Sequence, residues 1–541
     1  MKQLSTDVLI IGSGGAGLRA AIEARRQGVN VLLVSKGKLG LANCTAIAGG
    51  VFRASQNKKG IAEHFQETLE TGRFLNNPNL VRTLVADAWL AVKETEKFGI
   101  ELSAEKGKVS IVADEPPAGA SLSKALGKCA LDFGVNVSEK TSAFDLLVED
   151  NRCIGALAFK KDVEGIIVIS AKSTVVATGG YSGLYVRNDN PPRTTGDGVV
   201  LAFEAGAELQ DLEFVQFQQM FTDRGVPRMP VLDCLTEGTK NLVPGGPLMS
   251  KKGERFLGKY GLLENRILRD NLTVSIEREL YEEHEDSVLF DLTQLSPREI
   301  VDALNYDYQK HLVLPLGQIL STRRLHLASF AHYTMGGIKI NEKCETRVDA
   351  LYAVGEVTSG IHGANRVGGN ALTEILVFGA IAGRQAADHA KHTESGAVNK
   401  EQIKERTEKL QEICDNSKPR KTRPLRIKAE VSTVVSEFCR PVRSEEGLKC
   451  ALEELKHIEE RASFMFAENP DKLQDAIEAN SMLLLAKLVA NSALTRKESR
   501  GAHFRVDYPK SDDTDWLKNI IISQQNGKTQ IRYEHLIGKQ I

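Results

Sequence analysis

With 541 residues and 42% hydrophobic content, the chain can bury a large core and is expected to divide into roughly two to four domains. A net charge of −1 leaves no electrostatic footprint for nucleic acid, and the one basic run, Lys418 to Lys428, is short and broken by proline, as a solvated linker is. No stretch is apolar enough to span a bilayer, so a cytoplasmic protein is expected, meeting the inner face of the cell membrane only through a partner.

An apolar run, Val8 to Ile11, passes directly into GSGGAG, as a buried strand does and a secretory signal does not, and Leu18 to Arg26 then reads as an Ala-rich helix. Gly28 and Asn30 turn the chain into a second strand, NVLLVSK. From Thr141 to Val176 come AFDLLVED, CIGALAFKK and GIIVISA, followed by STVVATGG: a meander attached to the nucleotide-binding unit. From about Phe221 to His332 the pattern turns irregular around VPGGPLMSKKGERF and a helix, RDNLTVSIERELYEE, as an inserted domain would. DALYAVGEV returns as a strand, and GIHGANRVGGN leads into the apolar helix ALTEILVFGAIAGRQAADHA, so the first domain resumes. Lys391 to Lys428 reads as a linker, and Ser444 to Ala493 as two helices broken at Asn469-Pro470. The expected borders are 1–220 and 333–395 for the discontinuous nucleotide domain, 221–332 for the cap, and 396–541 for a C-terminal helical domain and tail.

The GxGxxG spacing of Gly12, Gly14 and Gly17 has a physical purpose. Glycine permits the tight turn, lets backbone amides approach a diphosphate, and allows close helix–strand contact, while the helix N-terminus faces the phosphates. The end of the second strand usually supplies a carboxylate for a ribose; Ser35 and Lys36 stand there instead. Eight scattered cysteines (44, 129, 153, 234, 344, 414, 439 and 450) show no spacing that closes around zinc or an iron–sulfur cluster, and no metal site is expected.

Further landmarks recur in one order: SKGKLGLANCTAIAGG (Ser35 to Gly50), ATGG (Ala177 to Gly180), TTGDG (Thr194 to Gly198), LTEG (Leu235 to Gly238), GERF, Arg269-Asp270, HYTMGGI (His332 to Ile338), AVGEV, HGANRVGGNAL (His362 to Leu372) and SRGAHFRVDYP. On these the chain resembles, nearly end to end, the flavoprotein subunits of succinate dehydrogenase and fumarate reductase, a family that includes L-aspartate oxidase. The resemblance implies an α/β fold: a Rossmann-like FAD-binding domain with an inserted α+β capping domain and a C-terminal helical domain. FAD would lie on Gly12, Ser13, Gly14, Gly15, Ala16 and Gly17, on Ser35 and Lys36, on Asn43, Cys44, Thr45, Ala48, Gly49 and Gly50, and on Ala177, Asp197, Glu356, Asn370, Ala371 and Leu372. Glu356 ends an apolar strand, a fitting place for a carboxylate that accepts ribose hydroxyls. The helix beginning near Asn370 would aim its positive end at the flavin pyrimidine edge. Where members with covalent flavin carry a histidine, this chain has Asn43, so FAD is expected to be noncovalent, with alkene reduction favoured over succinate oxidation. Cys44 is a conceivable thioether donor, for which packing is the plainer reading.

For a C4 dicarboxylate the same resemblance makes Arg269 the proton donor, His332 and Arg366 ligands of substrate carboxylate, and Thr236 and Glu237 part of the lining, with flavin N5 supplying hydride. A guanidinium held by carboxylates can relay a proton while staying charged on average. Each residue also has a plain reading: Arg269 a solvated cation, His332 a satisfied core histidine, Thr236 a turn residue. Arg366, set among glycines, has little packing role. One departure stands out: the family's QFHP reads QFQQ here, so the neutral amide Gln218 replaces a histidine that helps hold a carboxylate. The readings are therefore a fumarate reductase type flavoprotein fed by an iron–sulfur subunit, an L-aspartate oxidase or reductase of another unsaturated acid, or a flavin electron-transfer subunit without dicarboxylate turnover.

Overall fold

The opening strand, glycine turn and helix fold in the order the sequence sets: Lys2–Ile11 (β1), Gly15–Arg26 (α1) and Val31–Val34 (β2). The computed structural model describes residues 2–222, 248–262, 269–293, 296–303, 323–396, 399–414 and 422–536, less positions 106, 114, 116 and 162, and also 317 and 321 singly. Cys44–Ile47 (α2), Val51–Arg53 (β3), Lys58–Thr71 (α3), Pro78–Glu94 (α4), Leu102–Glu105 (β4), Lys108–Ile111 (β5) and Gly119–Asp132 (α5) follow. Asn136–Ser138 (β6), Thr141–Glu149 (β7), Arg152–Lys160 (β8) and Val163–Val176 (β9) complete the first stretch.

β6, β2, β1 and β9 lie side by side and parallel, while β8 and β7 extend the sheet as an antiparallel meander beyond β9. The sequence reading split β9 in two at the polar Ala-Lys-Ser; the strand in fact runs on. Ser173 and Thr174 are small enough to be wholly buried, and Lys172 reaches the sheet's margin, where its Nζ pairs with Asp7 at 2.8 Å.

Asp197–Glu204 (α6), Leu209–Gln210 (β10) and Val215–Phe221 (β11) lead toward the cap, whose described parts are Leu248–Met249 (β12), Arg269–Glu283 (α7), Val288–Asp291 (β13), Pro297–Ala303 (α8) and Arg324–Thr334 (β14). β11, β14, β13 and β12 form one antiparallel sheet, with α7 laid on β11 through Gln219 Nε2, which donates to Thr273 Oγ1 at 2.8 Å. The expected borders at 220 and 332 both fall inside strands of this sheet.

Gly337–Ile338 (β15) and Leu351–Ala353 (β16) bring the chain back, β16 pairing with the C-terminal half of β9. The buried helix Asn370–Lys391 (α9) then packs along α1. The expected linker contains a helix, Lys400–Cys414 (α10), because Ile403 and Leu410 give it one buried face and Arg406 pairs with Asp145 of β7 at 3.2 Å. Pro424–Phe438 (α11), Glu445–Ala462 (α12) and Pro470–Thr495 (α13) pack on one another, the break at Asn469 being a helix cap whose side chain accepts from Lys472 N. Val442–Arg443 (β17) pairs with Phe504–Arg505 (β18), and the hairpin Lys518–Gln525 (β19) and Lys528–His535 (β20) joins β10 and β15. Among the described residues, no helix is long and apolar enough to cross a membrane.

Candidate active site

Gly12 leaves β1 with φ of +115°, and a side chain there would run into the Ala177 carbonyl at the end of β9; one on Gly17 would run into the Gly12 carbonyl. These two glycines let strand and helix close on each other. Gly14 differs, because a Cβ on it would meet only the Asn43 Cβ, 4.0 Å away, and its face is open. The N-cap of α1, Gly14, offers no capping side chain, so apart from Gly15 N, which Thr45 holds, the amides at the start of the helix remain for an anion. The cradle thus fits a diphosphate. Around it, Ser13 Oγ and Ser35 Oγ share a hydrogen bond of 2.6 Å, Gly15 N donates to Thr45 Oγ1 at 3.1 Å, and Ala16 packs beneath Gly355. Ala48 closes α2 and accepts from Gly119 N at 2.9 Å, Gly49 presents an open face, and Gly50 turns the chain with φ of +78°.

Asn43 caps α2: its Oδ1 accepts from Ala46 N at 2.9 Å and its Nδ2 donates to Ser123 Oγ at 3.1 Å. The Cys44 thiol donates to Asn190 Oδ1 at 3.0 Å, and burial, reinforced by Glu356, pushes it well above the ordinary thiol range, so it stays protonated. Lys36 and Asp197 are bonded to each other (Nζ to Oδ1, 2.8 Å), and Thr195 Oγ1 also donates to that oxygen at 2.9 Å. The same ammonium reaches Glu478 of α13 at 3.0 Å, a contact no motif announced.

Glu356 sits beside Gly180 and Thr334, accepting from Thr334 N at 3.1 Å. Burial pushes its carboxyl up to about 7, against the Thr334 amide and Arg366. α9 starts at Asn370, as expected, after Gly369 at φ of +85° and with no side-chain cap, so the first-turn amides of Ala371 and Leu372 face outward from the helix end. The Asn370 side chain itself turns to α3, with Oδ1 2.7 Å from His64 Nε2 and Nδ2 donating to Thr68 Oγ1 at 3.1 Å.

The arginine cluster at the other end draws on four separate segments. Arg269 opens α7 and points Nη1 at Gln216 Oε1 of β11, 3.5 Å away. Gln216 Nε2 in turn donates to Asn365 Oδ1 (2.7 Å) and to the Arg366 carbonyl (3.0 Å). Arg366 is buried, lies over the Tyr333 ring with its Cζ 4.5 Å from the centroid, and keeps Nε buried with no hydrogen-bond partner among the described residues. An unpaired guanidinium nitrogen in such a place is a standing demand for an acceptor. His332, near the end of β14, feels both arginines: burial lowers its basicity, Arg366 and Arg269 lower it further, and Asp189 opposes them. Gln218 is buried on β11 opposite Phe330. Thr236 and Glu237 lie outside the described residues.

Several residues that shape this end were missed by the sequence reading. Gln216 lies two positions before Gln218 in the quoted QFQQ. Tyr333 and His362 sit inside quoted motifs, and with Glu374 form a buried cluster: Glu374 Oε2 is 2.8 Å from both the Tyr333 hydroxyl, which donates to it, and His362 Nε2. The available signal for Glu374 was a carboxylate on the apolar face of ALTEIL. Asp189 carried none. Among the described residues, no group of side chains could hold a metal ion.

Residues 7–372 match the family described as FAD binding domain, and residues 428–541 match the one described as fumarate reductase flavoprotein C-term. The chain is accordingly an FAD-dependent oxidoreductase. An uncharacterized FAD-dependent oxidoreductase of Methanocaldococcus jannaschii is 36% identical, covering 96% of each chain, and one subunit of the CoM/CoB fumarate reductase of Methanothermobacter marburgensis is 31% identical over 96% of this chain and 97% of its own. Among solved structures, the FrdA chain of Escherichia coli quinol fumarate reductase superposes with a TM-score of 0.85 at 28% identity, covering 100% of this chain and 98% of that one. The chain belongs to the fumarate reductase and succinate dehydrogenase flavoprotein family.

Proposed function

We propose that this flavoprotein reduces an unsaturated C4 dicarboxylate such as fumarate, with Arg269 donating the proton and with His332 and Arg366 holding substrate carboxylate. The observation that carries this reading is the convergence of Arg269, His332 and Arg366 on one another, with the buried Arg366 Nε lacking an acceptor among the described residues. Saturating a fumarate double bond adds a hydride to one carbon and a proton to the other, and needs cations on the carboxylates so that the π-system is polarised. Bound FAD supplies the hydride. Arg366, braced by the Tyr333 ring, grips one carboxylate, and Gln216 keeps Arg269 in register with the Arg366 loop. We place the FAD on the residues named from the first glycine loop through Leu372. The α9 amides favour negative charge on the pyrimidine edge, and Glu356 accepts ribityl or ribose hydroxyls. Asn43, engaged as a helix cap, leaves FAD noncovalent. Segment 221–332 acts as the cap.

Anaerobic reoxidation of the photoreduced flavin by fumarate tests the proposal: return of the oxidised spectrum at millimolar substrate is expected, and no return sinks it. Arg269→Ala should lower turnover by at least about a thousandfold with FAD still bound. Gln218 favours a second reading on the same scaffold, reduction of an acid carrying a neutral group at that end, which a panel of C4 acids with a dye donor would separate. L-aspartate oxidase activity would show as iminoaspartate. An electron carrier without turnover would be indifferent to loss of Arg269. Electrons are proposed to come from an iron–sulfur partner, which would also make any membrane contact for an otherwise cytoplasmic chain.

A further inference from the structure

The segment before α6 runs beside β14, Ala331 N donating to Arg187 O at 2.9 Å and Asp189 N donating to Ala331 O at 3.2 Å. This sets Asp189 against the next residue of the strand, His332, with Oδ2 2.7 Å from Nδ1. The other carboxylate oxygen is also held, since Asn190 Nδ2 donates to Asp189 Oδ1 at 3.1 Å and to the His332 carbonyl at 2.9 Å. Asn190 is itself fixed from the flavin loop by the Cys44 thiol, 3.0 Å from its Oδ1. The Asp189 side chain is 11% exposed and that of His332 27%.

We propose that Asp189 is a positioning residue for His332, fixing the ring with Nδ1–H on its carboxylate and Nε2 toward the substrate, and letting the ring take up a proton when an anionic substrate group arrives. The inference rests on the dicarboxylate reading of the site. A carboxylate only accepts, so Nδ1 must carry the proton and Nε2 is the nitrogen left to meet a ligand. The groups facing the imidazole are Asp189 from the segment before α6, Arg366 from the glycine-rich loop and Arg269 from α7, with Cys44 and Glu356 around that constellation. Without substrate, burial and two cations oppose a third positive charge, and Asp189 alone pulls the other way. A substrate carboxylate lying between the arginines offsets them, so binding should draw a proton onto Nε2 and weaken as pH rises.

The test uses the FAD-loaded full chain. Imidazole 15N spectra, with the His332 signals assigned by their loss in His332→Gln, should show the Nδ1–H tautomer in the native protein. In Asp189→Asn they should show a titration midpoint lower by at least about one pH unit, and Asp189→Glu should restore most of it. With fumarate, Asp189→Asn should raise KM about ten- to hundredfold near pH 7.5 while kcat changes less than about threefold, with flavin content and melting temperature unchanged. Asp189→Ser serves should the Asn variant not fold. Identical tautomer and midpoint in native and variant proteins overturn the proposal, as does an altered midpoint with an unchanged KM. Should the native protein reduce no C4 acid, the functional reading fails, while the imidazole spectra still decide what Asp189 does to His332.

Discussion

Gln216 is a single amide between two cations, touching Arg269 with its oxygen and the Arg366 loop with its nitrogen. Replacing it by alanine should lower kcat/KM about ten- to hundredfold with FAD retained, as expected when a hydrogen bond to a charged group is lost. Steady-state kinetics with fumarate checks this. Glu356 makes a prediction about pH. Its carboxyl lies at about 7 when folded and 4.5 is its ordinary value, so its contribution is fully present below 4.5 and is lost as pH rises through about 7. Flavin-free protein should therefore lose thermal stability across that window, and Glu356→Gln should flatten the loss by on the order of 2–3 kcal/mol. Asp211, also raised to about 7 by burial and by Glu213, contributes a slope of the same sign that the variant leaves in place. At this scale the sequence was legible wherever a side chain sat inside a recognisable string, as Arg366 and His332 do. Asp189 was not, because its role depends on a strand neighbour 143 residues away.

Among the elements, α13 reaches furthest. Its Glu478 lies between Lys36, at the end of β2, and Lys428 of α11, and those two ammonium groups hold its carboxyl down at about 2 despite burial. A lowered carboxyl stabilises above its ordinary 4.5 and loses that contribution as pH falls toward 2. Glu478→Gln should cost about 1.5–3 kcal/mol and weaken FAD retention, since Lys36 would then have lost one of its two carboxylates and lean on Asp197 and the Thr195 hydroxyl; equilibrium dialysis of FAD and thermal melts measure both. The amphipathic helices and the glycine-bounded strands were readable because period and punctuation agree in them. β9 and α10 were misjudged for one reason. Small polar residues can be buried in a strand, and a highly charged helix needs only a thin apolar stripe to dock, so average polarity hid both.

Across the whole molecule, the C-terminal part is tied to the nucleotide domain by charge as well as by apolar packing. Arg496, fully buried, donates from Nε to Glu213 Oε1 (2.5 Å), from Nη1 to Glu498 Oε1 (3.1 Å) and from Nη2 to Asp211 Oδ1 (3.3 Å). Arg496→Met should destabilise the protein by about 3–5 kcal/mol, because removing one partner strands buried carboxylates, and calorimetry would register it. The overall architecture followed from motif order, but this cluster joins positions that no periodicity links. The Lys36–Glu478 contact also has a bearing on how the protein is made. Its two ends are 442 residues apart, and a ribosome adding about 5–20 residues per second needs roughly 20–90 s to go from one to the other. Lys36 is thus translated long before its last counter-charge exists. Nascent chains stopped short of α13 are therefore expected to emerge colourless, with FAD loading only once α13 is in place.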